Sequence, residues 1–232
     1  ISNTKPLTLI TRRIGTSLSL SIIIIRIFAR DGLLNLTFWR NFKMNTSIGQ
    51  YTKLVPITLV AIMALTRFGH FGSAFALPDA SLAVFFLTGL GFSGVGFFAL
   101  LVLEAGLVDY FAITQYSVSD FCITPAYLFL ISTYAAMWLA GRYCKPYLAL
   151  HFFDSLKTFG WAGLATLAAF IISNGSFYLL SGSFGELSWG KYFLQIGQYL
   201  PSYLSATLIY IVLGLTAIKL RNVIRALAPV AS

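Results

Sequence analysis

The sequence predicts an all-α integral membrane protein, and three observations support this fold class. Of the 232 residues, 58% are hydrophobic and 10% are charged, whereas a soluble domain carries about 25% charged residues. The mean hydropathy is +0.82. The apolar residues form long blocks rather than alternating with polar ones, which favours helices over a membrane barrel. The same composition excludes soluble, disordered, collagen-like and coiled-coil classes.

Six apolar segments in the last three quarters of the chain are predicted to form helices. They are Leu54–Phe71, Ser81–Leu90, Val95–Tyr110, Thr124–Gly141, Phe159–Leu180 and Ser202–Ile218. A bilayer core takes about 20 helical residues, so the second and third segments are short. Hydropathy alone leaves open whether they form two helices or one helix over Ser81–Tyr110, broken at glycines 89, 91, 94 and 96.

The distribution of basic residues selects two helices and so six spans. Basic residues gather before the first segment, after the fourth and after the sixth: Lys53; Arg142, Lys145 and Lys157; Lys219, Arg221 and Arg225. The positive-inside rule puts all three groups in the cytoplasm only if Ser81–Tyr110 crosses twice. The loops Gly72–Ala80, Phe111–Ile123 and Ser181–Pro201 then lie on the outer side, where their composition suits covering a ligand. Glycines 182, 185 and 190 would let the last loop move.

The first 43 residues differ from the rest of the chain. They contain seven basic residues and one acidic residue, and the first methionine of the chain is Met44. Three interpretations compete: a membrane-associated helix around the apolar run Ile14–Ala29, a targeting segment, or an extension upstream of a natural start at Met44. We favour the last and predict a basic extension over 1–43 and a membrane domain over 44–232. Because the charges flank apolar segments, we predict a lipid bilayer and no nucleic acid as partner.

Ionisable residues within predicted spans are costly and usually functional. Arg67 and His70 stand near the outer end of the first segment, and Glu104 and Asp109 lie along the third. We interpret Glu104 as a residue with a structural role in the protein interior. Asp109 is expected to pair with Arg67 or His70, or to hydrogen-bond a ligand. The alternative for His70 is a hydrogen-bonded histidine of the protein interior, and the alternative for Tyr127 is a packing residue whose hydroxyl is hydrogen-bonded.

Cys122 stands just before the fourth segment, and the predicted topology brings it to the outer face together with His70, Asp109 and Tyr127. Thr124 is a natural N-cap and Pro125 a natural first helical residue. The positive end of that helix favours a thiolate at Cys122, and a soft thiolate near an imidazole suits a transition metal. The alternative is a small apolar residue without chemistry, which is also our interpretation of Cys144.

The residues Leu77–Ala83, Asp109 and the stretch Asp120–Tyr127 make the chain similar to the BtuM family. These are solitary substrate-binding (S) components of energy-coupling-factor transporters, which take up cobalamin (vitamin B12). The resemblance covers 44–232 and rests on the spaced set His70, Asp109, Cys122 and Tyr127. It implies a six-helix S-component bundle in the bacterial inner membrane with a binding site that faces the periplasm.

The resemblance also implies roles for these four residues. Cys122 corresponds to the cysteine that ligates the corrin cobalt, a step associated with removal of cyanide from cyanocobalamin. His70, Asp109 and Tyr127 correspond to other positions of the binding pocket. A new round of decyanation would need a reductant or an external thiol.

One feature departs from S components that dock on a shared coupling subunit. Those often carry Ala-x-x-x-Ala in the first span, where small residues allow close helix contact, whereas Ala61 and Ala64 here have the wrong spacing. We therefore expect a subunit that works alone, or else one that uses a shared coupling module. The alternatives to cobalamin uptake are an S component for another vitamin, a membrane redox enzyme using Cys122 and His70, and a structural subunit of a larger complex.

Overall fold

The computed structural model of the chain describes residues 49–69, 77–92, 94–116, 123–147, 152–182, 184 and 188–227. Within these ranges the chain is all-helical. The seven α-helices are α1 Gly49–Gly69, α2 Ser81–Gly91, α3 Val95–Tyr116, α4 Phe129–Cys144, α5 Phe152–Leu180, α6 Trp189–Gly197 and α7 Leu200–Leu227. All the described residues belong to one compact unit, Met44–Ser232. The extension predicted over 1–43 lies outside them and stays a prediction.

Three of these helices are long and apolar enough to span a membrane. They are α3, Phe153–Leu180 of α5 and Leu200–Leu220 of α7. The apolar stretches of α1 and α2, Leu54–Arg67 and Ser81–Gly91, are shorter. Because α2 has 11 residues, it is about 16 Å long, roughly half of a bilayer core. The helical membrane character predicted from composition is thus supported, while six spans stay a prediction.

All six predicted segments overlap described helices, although residues 70 and 71 of the first lie outside the described residues. Several helices continue beyond the apolar run. The third ends at Tyr116 rather than Tyr110, and the fifth begins at Phe152 rather than Phe159. Hydropathy detects the apolar part of a helix, whereas backbone hydrogen bonding continues into polar residues. The fourth segment begins as a 3-10 turn, Pro125–Leu128, that leads directly into α4.

The predicted outer loop Ser181–Pro201 requires a correction, because it contains the helix α6. This helix of 9 residues begins after Ser188, whose side chain accepts a hydrogen bond from the backbone N–H of Lys191. Hydropathy misses such a helix since it is short and has one polar face. Of the glycines expected to make this loop move, Gly182 adopts a φ of 73°, a conformation that favours glycine, whereas Gly190 is part of α6.

Two separate helices, α2 and α3, form in place of one over 81–110, as the positive-inside argument requires. The helix α2 ends at Gly91 and α3 begins at Val95, so a single helix over 81–110 is excluded. Gly89 lies within α2, where it serves a contact rather than a turn.

The helix α2 forms the centre of the described fold. Each of its residues from 81 to 90 is buried, and it packs chiefly against α4 and also against α1, α3 and α7. A Cβ at Gly89 would overlap the carbonyl oxygen of Trp138 in α4, and a Cβ at Gly141 in α4 would overlap that of Phe86 in α2. The two glycines therefore allow the two backbones to touch, which is how small residues join membrane helices.

Candidate functional site

A buried ion pair joins α1 to α3. Arg67 and Asp109 are 6% and 4% exposed. The guanidinium donates from Nε to Asp109 Oδ1 at 2.7 Å and from Nη2 to Oδ2 at 2.5 Å. This two-point geometry is the strong form of an arginine–carboxylate contact. Arg67 is one of the two partners expected for Asp109, and the other, His70, lies outside the described residues.

The remaining guanidinium nitrogen extends the ion pair to the start of α2 and to α4. Arg67 Nη1 donates to the hydroxyl of Tyr134 at 2.7 Å and to Ser81 Oγ at 3.2 Å, and lies 3.4 Å from Asp79 Oδ2. Asp79 Oδ1 also accepts from the backbone N–H of Ser81 at 2.8 Å, a local Asx contact that positions this carboxylate at the helix start. One arginine thus connects four helices.

Tyr127 joins the same cluster from the 3-10 turn before α4. Its hydroxyl donates to Asp109 Oδ2 at 2.7 Å. The turn begins as the sequence predicts: the Thr124 side chain accepts from the backbone N–H of Ala126, and Pro125 follows as the first residue. Because this cap sets where the turn begins, it also sets which side of the turn Tyr127 occupies. Asp109 then accepts hydrogen bonds from two elements that are far apart in the sequence.

The polar cluster forms one wall of a cavity of about 580 Å³. The opposite wall comes from α5 and α7. Eight of the 18 lining residues carry a hydroxyl group: Tyr127, Thr133, Tyr134, Ser173, Tyr199, Ser202, Tyr203 and Thr207. Cavities of about 300–1,000 Å³ are typical of small-molecule sites, and the mixture of hydroxyl and apolar groups suits a ligand with many polar substituents on an apolar frame.

The charged groups of the lining are one guanidinium and two carboxylates, those of Arg67, Asp79 and Asp109. Because they pair with one another, none of them is left to neutralise a strongly anionic ligand. The formal charge of the three groups is negative. The cavity therefore favours a neutral or cationic ligand over a nucleotide or a phosphorylated vitamin.

The short helix α6 is fastened to the same cavity. The hydroxyl of Tyr192 donates to the backbone carbonyl of Asn174 at 3.0 Å, and Asn174 lines the cavity. Burial raises the pKa of this phenol, so the hydroxyl keeps the proton that it donates. Tyr178, Phe184 and Trp189 pack around Tyr192 or one another. This aromatic cluster holds α6 beside the α5 wall.

Two of the four predicted site residues are brought together and two are not described. Asp109 and Tyr127 meet on the cavity wall, whereas His70 and Cys122 lie outside the described residues. Glu104 is half-buried, and both of its carboxylate oxygens lack a hydrogen-bond partner among the described residues. Cys144 is buried within α4, in keeping with the interpretation of it as an apolar residue.

Several cavity residues were not assigned to the site from the sequence, although Asp79 lies within the stretch Leu77–Ala83 that carries the resemblance. Asp79 and Tyr134 belong to the hydrogen-bonded cluster, and Asn174 and Tyr203 line the opposite wall. The tripeptide Pro78-Asp79-Ala80 just before an apolar helix was a usable signal, because Asp is a typical capping residue. No local pattern distinguishes the two tyrosines from other tyrosines of the apolar segments.

Within the part of the chain that the structure describes, no group of three or more His, Cys, Asp or Glu side chains is arranged to hold a metal ion. In comparisons with known proteins, no protein-family model matches the chain and no curated protein does.

Proposed function

We propose that the chain binds cobalamin in the cavity of about 580 Å³ and carries it across the bacterial inner membrane. The observation that carries this proposal is the hydrogen bond between Tyr127 and Asp109 on the cavity wall. The BtuM resemblance requires these two residues to share a pocket, although they are 18 residues apart. In this proposal the protein has six spans, both ends in the cytoplasm and a site that opens to the periplasm.

The sequence positions of the other two residues support the same site. His70 follows Gly69, the last residue of α1, and Arg67 of that helix is part of the polar cluster. Cys122 stands two residues before the N-cap Thr124. We propose that the thiolate of Cys122 ligates the cobalt, favoured by the positive end of the helix that begins at Pro125. A corrin supplies four nitrogen ligands itself, so one soft protein ligand suffices.

The charge and chemistry of the cavity agree with this ligand. Cobalamin is neutral overall and carries several carboxamide side chains, which hydroxyl groups and Asn174 can hydrogen-bond. It is larger than the ligands that a cavity of this volume encloses. We therefore propose that the cavity receives one face of the macrocycle, with Asp109 and Tyr127 at its polar edge, while the rest of the ligand projects beyond it.

Removal of cyanide follows from the same ligation. The electron pair of the Cys122 thiolate forms the Co–S bond, and cyanide leaves as the anion with the electron pair of the Co–C bond. The oxidation state of cobalt does not change in this exchange. The protein supplies the thiolate and its position, and one cysteine removes one cyanide.

The test is an absorption spectrum of the full-length purified protein with cyanocobalamin. The wild type and the control Cys144→Ala should shift the cobalamin bands, and Cys122→Ala should not. Uptake of radiolabelled cobalamin by cells that express each variant should follow the same order. A Cys122→Ala variant with the spectrum and the uptake of the wild type would contradict the proposal, provided that gel filtration shows equal folding.

A second candidate is an S component for a smaller vitamin, and the cavity volume favours it. A ligand enclosed by about 580 Å³ would need no thiolate. Mass spectrometry of small molecules extracted from the purified protein distinguishes the two. A smaller vitamin that co-purifies equally with the wild type and Cys122→Ala would support this second candidate.

A further inference from the structure

A second cavity, of about 260 Å³, lies between α5 and α7. On α7 its wall consists of Val212, Leu215, Thr216 and Lys219, which are spaced to share one helix face. From Val212 to Lys219 this face rises about 10 Å along the helix. The wall changes over that distance from apolar side chains to a hydroxyl and an ammonium group.

The wall on α5 also has a polar end and an apolar end, and its polar end faces the polar end of the α7 wall. Lys219 Nζ donates to Ser155 Oγ at 2.5 Å, so the polar end of the α7 wall meets the first turn of α5. Phe159, one helical turn further along α5, lines the apolar part. Both walls therefore have a polar end at Lys219 and Ser155 and an apolar end toward Phe159 and Val212.

The polar end coincides with the ends of two membrane-spanning segments. The candidate span of α5 begins at Phe153, and the apolar run predicted on α7 ends at Ile218, directly before Lys219. Lys219 therefore stands at the level of the lipid headgroups. The apolar end is open to the bilayer, because Leu156, Phe159 and Val212 are 57%, 39% and 45% exposed on helices that lie in lipid. An occupant must therefore be anionic at one end and apolar at the other.

The charges around the polar end have the required sign. Tyr147 closes this end of the cavity, and the ammonium group of Lys157 lies 5.4 Å from the centre of its ring. Lys157 has Asp154 as its acidic partner at 3.7 Å. Among the described residues Lys219 has no acidic partner, and its ammonium group donates to the neutral hydroxyl of Ser155. An anionic group can join it without displacing a carboxylate.

We propose that this cavity is a binding site for an anionic phospholipid. The phosphate group binds Lys219 Nζ together with the hydroxyls of Ser155 and Thr216, and an acyl chain lies against Val212, Leu215 and Phe159. Basic pockets between membrane helices bind anionic headgroups in this way. This proposal does not depend on which ligand binds in the cavity of about 580 Å³.

The test compares phosphatidylglycerol with phosphatidylcholine of the same acyl chains, bound to the full-length protein in detergent and measured by native mass spectrometry. The wild type should prefer phosphatidylglycerol. Lys219→Gln should bind it about fivefold more weakly, with phosphatidylcholine unchanged, since glutamine keeps a donor for Ser155. The matched control Lys191→Gln, an exposed lysine on α6, should behave like the wild type.

A second variant tests the apolar half. Val212→Trp fills the cavity from an exposed position and should weaken both lipids while Lys219 is intact. The proposal is overturned if Lys219→Gln and Val212→Trp both keep the affinities of the wild type. It is also overturned if excess inorganic phosphate displaces phosphatidylglycerol, because the site would then bind free phosphate rather than a lipid.

Discussion

The contact between α2 and α4 and the contact between α1 and α3 join helices in opposite ways. In the first, Gly89 and Gly141 let two backbones touch, and the surrounding side chains are buried. In the second, Arg67 and Asp109 hold the helices through charge and hydrogen bonds. Small residues and polar residues are the two general means of helix association in membranes. Of the two contacts, only the polar one borders the cavity of about 580 Å³. The close packing of backbones and the polar wall of the cavity are therefore separated in space.

The largest expected effect is that of Arg67→Met. This change leaves the Asp109 carboxylate buried without its guanidinium, which costs about 3–5 kcal/mol. Thermal unfolding of the purified protein in detergent measures the loss. Arg67→Lys should lose less, because it keeps the charge but not the two-point geometry.

A double variant separates the ion pair from the packing of the arginine stem. Arg67→Met combined with Asp109→Leu removes both charges and should recover part of the stability lost by Arg67→Met alone. A double variant that is less stable than the single variant would show that the charge of Asp109 is not what makes Arg67→Met destabilising.

The glycine contact should be the next most sensitive. Gly89→Ala forces a methyl group against the backbone of Trp138, which does not rotate away, and should cost about 1–3 kcal/mol. Gly91→Ala is the matched control at the end of the same helix, because nothing lies within 4 Å of a Cβ there. Gly214→Ala should fall between them, since it meets the side chain of Leu87, which can change rotamer. Equal unfolding temperatures for Gly89→Ala and Gly91→Ala would refute the close contact.

The smallest expected effect on stability is that of Tyr127→Phe. It removes one hydrogen bond of Asp109 while both bonds from Arg67 stay, and should cost about 1 kcal/mol. If the cavity binds cobalamin as proposed, this variant should also bind it more weakly. Tyr199→Phe is the control, because Tyr199 lines the same cavity but is 62% exposed. Equal affinities of the two variants would argue against a role of the Tyr127 hydroxyl in the pocket.

The sequence predicted a large part of the fold because the relevant signals are local. Apolar runs placed six of the seven described helices. The distribution of basic residues predicted that Ser81–Tyr110 forms two helices, with the turn among the glycines around residue 91. Thr124 and Pro125 placed the start of the fourth segment. The helix α6 was not predicted, because a helix of 9 residues with one polar face has no long apolar run.

The site was predicted in part for the same reason. Asp109 stood out as an acid within an apolar segment, and the predicted topology brought Tyr127 to the same outer face, where the resemblance also assigns it to the pocket. The sequence could not choose between Arg67 and His70 as partner of Asp109, because they are neighbours in the chain and Arg67 is already 42 residues from Asp109. Tyr134 and Tyr203 escaped because their chemistry depends on which helix faces them.

By itself, the sequence determined that this is a helical membrane protein and where most of its helices lie, because hydropathy and helix breakers act over a few residues. The tertiary structure alone decided which charges pair, which glycines meet a backbone, and that the polar cluster and the hydroxyls of α5 and α7 enclose one cavity. These features depend on distances between segments that are far apart in the chain. Such distances are set by the packing of whole helices, which no local pattern specifies.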